Sequence, residues 1–432
     1  MNFTKEAQAL EETIIARRRD LHRYPEAAWT EYRTASLVAQ TLTKLGFDVA
    51  CGETVVAGHA MMGVPSADEL KKHEERAVAE GANPAWVAKM VGGKTGVVGT
   101  LRFAKPGKTV ALRFDMDAND VTEATDDGHR PVKDGFASQH NGVMHACGHD
   151  GHTSMGLAVA ELLAGVKDGL CGTLKVIFQP AEEGVRGARA MVEAGVADDV
   201  DYFFGMHIGF NANKDGQFAC MTDGFLATTK LDARFTGVSS HAGAAPEQGK
   251  NALLAAAAAS VAMHSISRHG QGASRINVGV LQAGTGRNVL PDRAVIKLET
   301  RGATTEINEF MIAEAKRMAQ ASAMLYDVAV ETEVMGGAPS CALDREMGEK
   351  VCELVRASGR FADVVPQVSL GASEDCAYFM ERVQQHGGQA VYMMLGTPIA
   401  AGHHNFRFDF NEACLAKGAA AVAELASAFL CE

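Results

Sequence analysis

Hydrophobic and polar positions change their spacing several times along this chain, and these changes divide it into predicted helices and strands. Apolar residues at helical spacing over 4–45 predict two helices, the second being EYRTASLVAQTLTKLGF. Further on, TGVVGTLRFA and KTVALRFDMD predict two strands joined by the turn KPGK, and GTLKVIFQ and DYFFGMHI predict two more. Helices predicted at 151–166 and 187–194 separate the later strands, which is typical of an α/β sheet with helices on its faces.

The order of the predicted elements changes near residue 223. KLDARFTG, RINVGVLQAG, AVIKLETRG and YDVAVETEVM predict four strands, with helices over 250–268 and 304–324 between them. The resulting order βαββαβ is that of a ferredoxin-like unit. The α/β pattern then resumes with the strand QAVYMMLG and a final helix over 411–430.

These patterns predict an α/β protein with two domains. We expect a discontinuous α/β domain over 1–222 and 338–432, interrupted by a smaller α+β domain over 223–337. Within the first domain, the runs ADELKKHEERAVAEG and NPAWVAKMVGG predict an inserted helical hairpin over 52–94. We interpret its charged side as a solvated face and keep Trp86 as a candidate for the lining of a cleft.

Composition and charge narrow the range of functions. The chain has 432 residues, 47% of them hydrophobic, and a formal net charge of -12. Without a broad basic surface, neither nucleic acid nor an anionic membrane is expected as a partner. The longest apolar run, 252–263, is too short to span a bilayer. Nine scattered cysteines without paired spacing indicate reduced thiols and a cytoplasmic protein.

Acidic, histidine and cysteine side chains gather at the ends of the predicted strands. The densest group is HACGHDGHTS, residues 145–154. The carboxyl ends of strands in an open α/β sheet are where sites are built, so we expect five separate segments to converge there. The candidates are Asp115, Asp117, Cys147, His149, Glu182, Glu183, His207, His403 and His404.

Each candidate alone has an ordinary structural explanation. A lone histidine at a strand end is usually a hydrogen-bonded structural residue, and Cys147 suits a small buried position. Glu182 and Glu183 after Pro180 suit the first turn of a helix. A metal site, by contrast, accounts for all five segments together.

The residue types favour a transition metal. Cys147 and His149 are two positions apart and offer a soft sulfur and a borderline nitrogen, which suit zinc, cobalt or manganese better than calcium or magnesium. Because adjacent side chains point in different directions, one of Glu182 and Glu183 can hold metal while the other acts as a general base. A catalytic Cys147 thiol or a closed structural zinc site would leave this carboxylate pair without a role.

Nine motifs run in order through residues 111–412: LRFDMDA, MHACGHDGHTS, IFQPAEEG, FFGMHIG, SSHAGAAPEQGKNAL, GTGRNVLPD, LETRG, GASEDCAYF and GHHNFRFDFNE. They resemble the amidohydrolase branch of the dinuclear aminoacylase and glutamate-carboxypeptidase metallopeptidases, which includes hippurate hydrolases and auxin-conjugate hydrolases. The resemblance implies a mixed-sheet metallohydrolase domain with an inserted lid or dimerisation domain, and two divalent metal ions, manganese or zinc.

The resemblance also implies roles for single residues in the larger domain. Glu182 corresponds to the general base and Asp117 to a residue that orients the site. Within GHHNFRF the family pattern aligns with His404 rather than His403. The implied metal ligands are Cys147, His149, Glu183, His207 and His404.

In the lid, the resemblance implies that His241, Asn288 and Arg301 bind the carboxylate of the substrate and polarise its scissile carbonyl. His241 and Asn288 can reach the active site of a partner subunit in this family, which makes dimerisation functional. The implied reaction is hydrolysis of an N-acyl amino acid amide, in which Glu182 moves a proton from the attacking water to the leaving amine.

Two features depart from the usual family pattern. Phe406 stands where proline usually follows His-Asn, and the insertion 52–94 replaces a short link.

The insertion and the exact sequences of the motifs resemble those of the aminobenzoyl-glutamate hydrolase subfamily. This resemblance implies cleavage of p-aminobenzoyl-glutamate to p-aminobenzoate and glutamate. The implied partner is a second copy of the chain or a related B subunit. A broad deacylase of the hippurate type and a silent or regulatory subunit remain alternatives.

Glutamate carries a second carboxylate, and its recognition requires a second cation beside Arg301. Several basic residues of the lid could supply that charge, and the sequence does not choose between them. The candidates are Lys230, Arg275, Arg287 and Arg293.

Overall fold

The computed structural model describes residues 1–432 and divides into two compact units. The larger unit consists of Met1–Asp223, Cys341–Leu370 and Asp375–Glu432, and the smaller unit of Gly224–Ser340 and Gly371–Glu374. The position of 371–374 between α/β elements predicts that it belongs to the larger unit. Instead, the Leu226 N–H donates a hydrogen bond of 2.9 Å to the Ala372 carbonyl oxygen, which ties this segment to the smaller unit.

Helices and strands alternate through the larger unit, and we number all elements along the whole chain. Its helices are α1 (Thr4–Ala9), α2 (Glu11–Arg23), α3 (Tyr32–Lys44), α4 (Ala67–Ala79), α5 (Pro84–Val87), α6 (Arg130–Lys133), α7 (His149–Gly165), α8 (Ala188–Glu193), α11 (Arg345–Ser358), α12 (Ala377–Gln385) and α13 (Cys414–Leu430). Its strands are β1 (Asp48–Cys51), β2 (Val97–Arg102), β3 (Lys105–Asp115), β4 (Cys171–Gln179), β5 (Tyr202–Ile208), β6 (Gln217–Asp223), β11 (Asp363–Ser369) and β12 (Gln389–Leu395).

The eight strands of the larger unit form one mixed sheet in the order β1-β2-β4-β3-β5-β12-β6-β11. Neighbouring strands among β4, β3, β5 and β12 are parallel. β1 pairs antiparallel with β2, β2 with β4, and β12 with β6. The predicted mixed α/β fold is therefore confirmed, and the carboxyl ends of the four central strands lie along one edge of the sheet.

Helices cover both faces of this sheet. Phe203 and Phe204 are consecutive in β5, and their rings contact Phe379 of α12 and Phe429 of α13 respectively, so these two helices lie on opposite faces. α7 lies beside α13 and approaches β3 closely, because a Cβ atom added at Gly156 would lie 2.5 Å from the Phe114 ring. No helix of the chain is both long enough and apolar enough to cross a membrane.

The apolar spacing does not predict β1, β6 and β11, and it merges α1 with α2. β1 and β11 form the two edges of the sheet and are only partly buried, so their sequences carry little of the alternation that marks a strand. β11 also contains Pro366, which an edge strand tolerates. The predicted turn KPGK instead begins β3, where the register with β4 shifts between Lys105 and Thr109.

The smaller unit has the βαββαβ order that the sequence predicts. Its elements are β7 (Ala227–Thr236), α9 (Ala252–His264), β8 (Ser274–Ala283), β9 (Arg293–Gly302), α10 (Thr305–Leu325) and β10 (Ala329–Ala338). The sheet is antiparallel, in the order β10-β7-β9-β8. Ile296 and Leu298 of β9 are buried in the core with both helices, so Lys297, Glu299 and Arg301 occupy the opposite face.

The inserted segment 52–94 contains the helices α4 and α5. The Trp29 indole N–H donates to the Met62 carbonyl oxygen at 2.7 Å, and the Gly93 N–H donates to the Tyr32 hydroxyl at 3.0 Å. These two bonds fasten the insertion to the chain around α3. Trp86 is partly buried against the core.

Arg18 of α2 is completely buried and joins three carboxylates of the larger unit. Its guanidinium lies 2.8 Å from Asp150, 3.0 Å from Asp409 and 3.2 Å from Glu412. Asp150 is the second residue of α7, and the other two lie between β12 and α13. One cation therefore fixes the start of α7 relative to the loop that follows β12.

Acid should weaken this buried network. Burial opposes ionisation of Asp409 and Glu412, but hydrogen bonds and charges from Arg18, Arg19 and Arg130 hold the pKa of both carboxyls below its ordinary value. Because the pKa is lower in the folded state, the stabilisation is complete at neutral pH and is lost as the pH falls below about 4. We expect the midpoint of urea unfolding to fall more steeply with acid in the wild type than in Glu412→Gln, and equal slopes would contradict this.

Candidate metal centre

The parallel central strands bring the predicted ligand segments to one edge of the sheet. Asp115 ends β3, Glu182 follows β4, His207 is near the end of β5, and α7 begins at His149. The donor atoms form overlapping groups in which all atoms lie within 4.8 Å of one another. Three of these groups are Cys147 with His149 and His207, Cys147 with Glu183 and His404, and His149 with Glu182 and Glu183. Two further groups are Asp115 with His149 and His152, and Glu182 with Glu374 and Asp375.

His149 and His207 present the same ring nitrogen to the cluster. The Nδ1 of His149 is bonded to the Asp117 carbonyl oxygen at 2.9 Å, and the Nδ1 of His207 to the Ile208 carbonyl oxygen at 2.8 Å. The Nε2 of His149 is buried without a hydrogen-bond partner. A buried, unpaired ring nitrogen among carboxylates and a thiol fits a metal ligand, because metal-binding histidines usually donate their other nitrogen to a carbonyl or carboxylate.

Asp117 connects two of the ligand segments. Its two carboxylate oxygens accept hydrogen bonds from the backbone N–H groups of Glu182 at 3.0 Å and Glu183 at 2.8 Å. One of these oxygens also lies 3.3 Å from Nδ1 of His149. The buried Asp117 side chain thus sets where the glutamate pair lies relative to the start of α7.

The two adjacent histidines after β12 contact different groups near Cys147. His404 Nε2 is 3.3 Å from Glu183 Oε1, and His404 belongs to the group formed by Cys147 and Glu183. His403 Nδ1 is 3.6 Å from the Cys147 sulfur, but its Nε2 accepts a hydrogen bond from the Phe210 N–H at 3.0 Å. His404 therefore has the better position for a ligand, and His403 supports the thiol.

The loops that carry the candidate ligands have strained backbone conformations. Ala181, Phe210 and His404 have positive φ angles of 53°, 51° and 64°. Non-glycine residues adopt this left-handed region at a cost of about 1–3 kcal/mol each when it is not locally favoured. Its occurrence next to Glu182, after His207 and at His404 itself indicates that the surrounding structure holds these loops in place.

Burial and nearby carboxylates shift the pKa of two groups at the centre. Burial, assisted by the charge of Asp117, raises the pKa of Glu31 to about 8. Although burial alone would lower it, the charges of Asp115 and Asp117 raise the pKa of His149 to about 10. A divalent cation at Nε2 would replace this proton and offset the repulsion between carboxylates. The donor set and its charge thus fit two divalent metal ions.

Some residues that shape the centre carry no signal of their own in the sequence. Glu31 precedes α3 and accepts hydrogen bonds from the Ala181 N–H at 2.8 Å and the Thr95 hydroxyl at 2.6 Å. Glu31 therefore holds Ala181, the residue before Glu182, although Glu31 lies far from both in the chain. His152 has both ring nitrogens engaged, with Asp115 at 2.5 Å and the Ile208 N–H at 2.9 Å, which suits a structural role.

The remaining predicted residues lie in the smaller unit. The Ala242 N–H donates to the Asn288 carbonyl oxygen at 2.9 Å, so His241 and Asn288 lie on neighbouring loops, and both are exposed. Nδ1 of His241 accepts the N–H groups of Gly243 and Ala244 at 3.2 and 3.1 Å. Its proton therefore sits on Nε2, free to donate to a carbonyl oxygen. Arg301 lies at the end of β9.

Comparison with known proteins gives results that agree with this geometry. The model of the family described as Peptidase family M20/M25/M40 matches residues 111–428. The chain is 51% identical to the A subunit of p-aminobenzoyl-glutamate hydrolase from Escherichia coli (strain K12), and 50% identical to indole-3-acetyl-aspartic acid hydrolase of Enterobacter agglomerans, in each case over 92% of both chains. A crystal structure of an aminobenzoyl-glutamate utilization protein from Klebsiella pneumoniae superposes with a TM-score of 0.85 at 39% identity, covering 99% of this chain and 98% of that one.

Proposed function

Since the chain belongs to peptidase family M20/M25/M40, we propose that it is a metal-dependent amidohydrolase that cleaves N-acyl amino acids, with p-aminobenzoyl-glutamate as its preferred substrate. The observation that carries this proposal is the carboxylate pair, Glu182 and Glu183, held next to the thiol and imidazole donors. A structural metal site has no use for a spare carboxylate, whereas a hydrolytic one needs a base.

Two divalent cations fit the donor groups of this centre. When bound, they would polarise the scissile carbonyl and make the attacking water more acidic. Cysteine ligation favours zinc, and the carboxylate and imidazole donors also suit manganese, so both are candidates. The residues that we propose to hold the cations are Cys147, His149, Glu183, His207 and His404.

Glu182 is the residue that we propose to move the proton. Its backbone is fixed by the bond to Asp117, and its carboxylate lies 3.9 Å from Nε2 of His149, too far for a hydrogen bond between them. The carboxylate is thus close to the donor cluster without being tied to that ring. It would accept the proton of the attacking water and deliver it to the nitrogen of the leaving amine.

The smaller unit would hold the substrate. The Nε2–H of His241 can donate to the carbonyl oxygen as negative charge develops on it, and Asn288 offers an amide from the neighbouring loop. Arg301 has a planar guanidinium that can bind a carboxylate through two hydrogen bonds. We therefore propose that His241 and Asn288 bind the scissile carbonyl and that Arg301 binds the α-carboxylate of the leaving amino acid.

The Escherichia coli relative is named as an A subunit, which indicates that the hydrolase from that organism contains more than one kind of chain. We propose that this chain also works in an oligomer, either with a related B subunit or as a homodimer in which the loops of His241 and Asn288 serve the partner. The cysteine pattern supports a cytoplasmic location.

The closest alternative is a deacylase that accepts many acyl groups, as hippurate hydrolases do. The relative from Enterobacter agglomerans is named for indole-3-acetyl-aspartic acid, so other acyl groups belong in any test of substrate preference. A catalytically silent role is disfavoured, because the proposed base and all five proposed ligands are present and lie together.

The proposal can be tested by removing the metal and then adding back one kind of metal ion at a time. We expect dialysis against a chelator to abolish amide hydrolysis, since the carbonyl and the water lose their activation. Addition of zinc, manganese or cobalt to separate samples should restore it to different extents. Rates would be compared for p-aminobenzoyl-glutamate, indole-3-acetyl-aspartate and hippurate, and a preference for hippurate would overturn the choice of substrate. Full activity in metal-free protein, checked by elemental analysis, would overturn the mechanism.

A further inference from the structure

The open face of the sheet in the smaller unit contains a pocket with an unusual charge. It has a volume of about 320 Å³ and is lined by Arg268, Arg275, Ile276, Asn277, Glu299 and Arg301. This volume lies at the lower end of the range for small-molecule sites, roughly 300–1,000 Å³. Three of the lining residues are arginines and one is acidic, so the pocket favours an anion.

The strand register places two of these arginines side by side. Arg275 of β8 lies directly opposite Arg301 of β9 in the antiparallel ladder, and Asn277 lies opposite Glu299. Opposed residues project from the same face with Cβ atoms about 4.5–5.5 Å apart, and like charges in this position repel each other. A ligand carboxylate beside Arg275 would offset this repulsion and leave Arg301 to the α-carboxylate.

The single carboxylate of the pocket, Glu299, already has two cationic partners. Glu299 accepts a hydrogen bond from Arg301 at 3.0 Å and another from Lys230 at 3.1 Å. Despite burial, these contacts lower the pKa of Glu299, so its negative charge is present at neutral pH. Arg275 has no ion-pair partner, and Arg268 donates only to the Ile266 carbonyl oxygen at 3.3 Å. Their charges therefore remain available to a ligand.

The structure distinguishes between the four basic residues, Lys230, Arg275, Arg287 and Arg293, that could bind the second carboxylate of glutamate. Lys230 is engaged with Glu299. Arg293 begins β9, eight positions before Arg301, which corresponds to roughly 27 Å along an antiparallel strand, and it donates to the Thr236 hydroxyl. Arg287 lies in the loop beside Asn288 and does not line the pocket. Of these four residues, only Arg275 shares the pocket with Arg301 and lacks an ion-pair partner.

The two relatives near 50% identity are named for different acyl groups, aminobenzoyl and indole-3-acetyl, but both for an acidic amino acid, glutamate or aspartic acid. We propose that the pocket binds the side-chain carboxylate of an acidic amino acid, and that Arg275 selects such substrates over those with a neutral side chain. This inference rests on the proposed function and adds the substrate class that this unit recognises.

The test compares p-aminobenzoyl-glutamate with p-aminobenzoyl-glutamine, which has a neutral side chain of the same shape. Wild type should prefer the glutamate compound in kcat/KM. Arg275→Met should lower kcat/KM for the glutamate compound by about tenfold to a hundredfold, as loss of a charged hydrogen bond does, and lower that for the glutamine compound much less. Arg275→Lys should recover part of the preference, and Arg293→Met should keep all of it.

Equal losses for both compounds in Arg275→Met, or no loss for either, would overturn the role of Arg275. A second measurement separates this result from failure of the proposed function. Calorimetric titration of the holoenzyme with free L-glutamate and L-glutamine should show tighter binding of glutamate, weakened in Arg275→Met and not in Arg293→Met. This result would support the pocket even if no aminobenzoyl amide were cleaved, and equal binding of the two amino acids would overturn it.

Discussion

Glu182→Gln is expected to lower kcat for p-aminobenzoyl-glutamate by about 10²–10⁴-fold, the usual contribution of a general base. Glutamine keeps the length and polarity of the side chain but cannot take a proton. The backbone bond from residue 182 to Asp117 would remain, so the donor cluster should keep its geometry. Metal content, measured by elemental analysis, should therefore match that of the wild type.

Glu183→Gln is the matched control for this experiment. It changes the neighbouring residue in the same way, but Glu183 belongs to the donor group with Cys147 and His404. We expect this variant to lose metal as well as activity, and excess metal should restore part of its rate. A Glu182→Gln enzyme that stays within about tenfold of the wild-type rate would contradict the general-base role. Loss of metal in both variants would make Glu182 a ligand instead.

Arg18→Met is expected to destabilise the larger unit by about 3–5 kcal/mol, because it leaves buried carboxylates with less positive charge than they need. The Arg18 side chain is 0% exposed and contacts Asp150, Asp409 and Glu412. It also lies over the ring of Phe410 at 4.5 Å, so methionine replaces its apolar contacts but not its charge. The effect should therefore reflect the loss of the charge.

Urea unfolding followed by tryptophan fluorescence measures this effect in one unit only, because Trp29 and Trp86 both belong to the larger one. Arg19→Met is the control. Arg19 is the next residue and pairs with Glu412 at 2.7 Å, but its side chain is 33% exposed. For such a pair we expect a loss of about 1 kcal/mol or less. Similar losses in the two variants would show that the depth of burial does not govern this network.

Arg18→Met should also weaken metal binding, since Asp150 adjoins His149 and Asp409 closely follows His404 in the chain. Titration of the apoprotein with cobalt, followed by the visible absorption of the bound ion, would detect this change. The binding curve of Arg19→Met should match that of the wild type. If the binding curve of Arg18→Met also matches that of the wild type, Arg18 contributes to the stability of the fold but not to metal binding.

The larger part of the candidate centre could be predicted from the sequence because its residues follow buried strands. Glu182 and His207 each adjoin an apolar run whose carboxyl end is easily recognised, and parallel strands bring such ends together. Glu31 and Arg18 could not be found in this way. They lie outside strands, and their importance comes from partners such as Ala181 and Asp150 that are distant in the chain.

The sequence by itself determined the α/β class, the interruption by a βαββαβ unit and the strand ends that carry the candidate donor residues. Local spacing is sufficient for these, since a strand or helix shows its buried face in the order of its apolar residues. Only the tertiary structure decided how closely His404 approaches Glu183, which edge strands complete the sheet, and which arginine lies opposite Arg301. These depend on strand register and on contacts between distant segments, which no local pattern encodes.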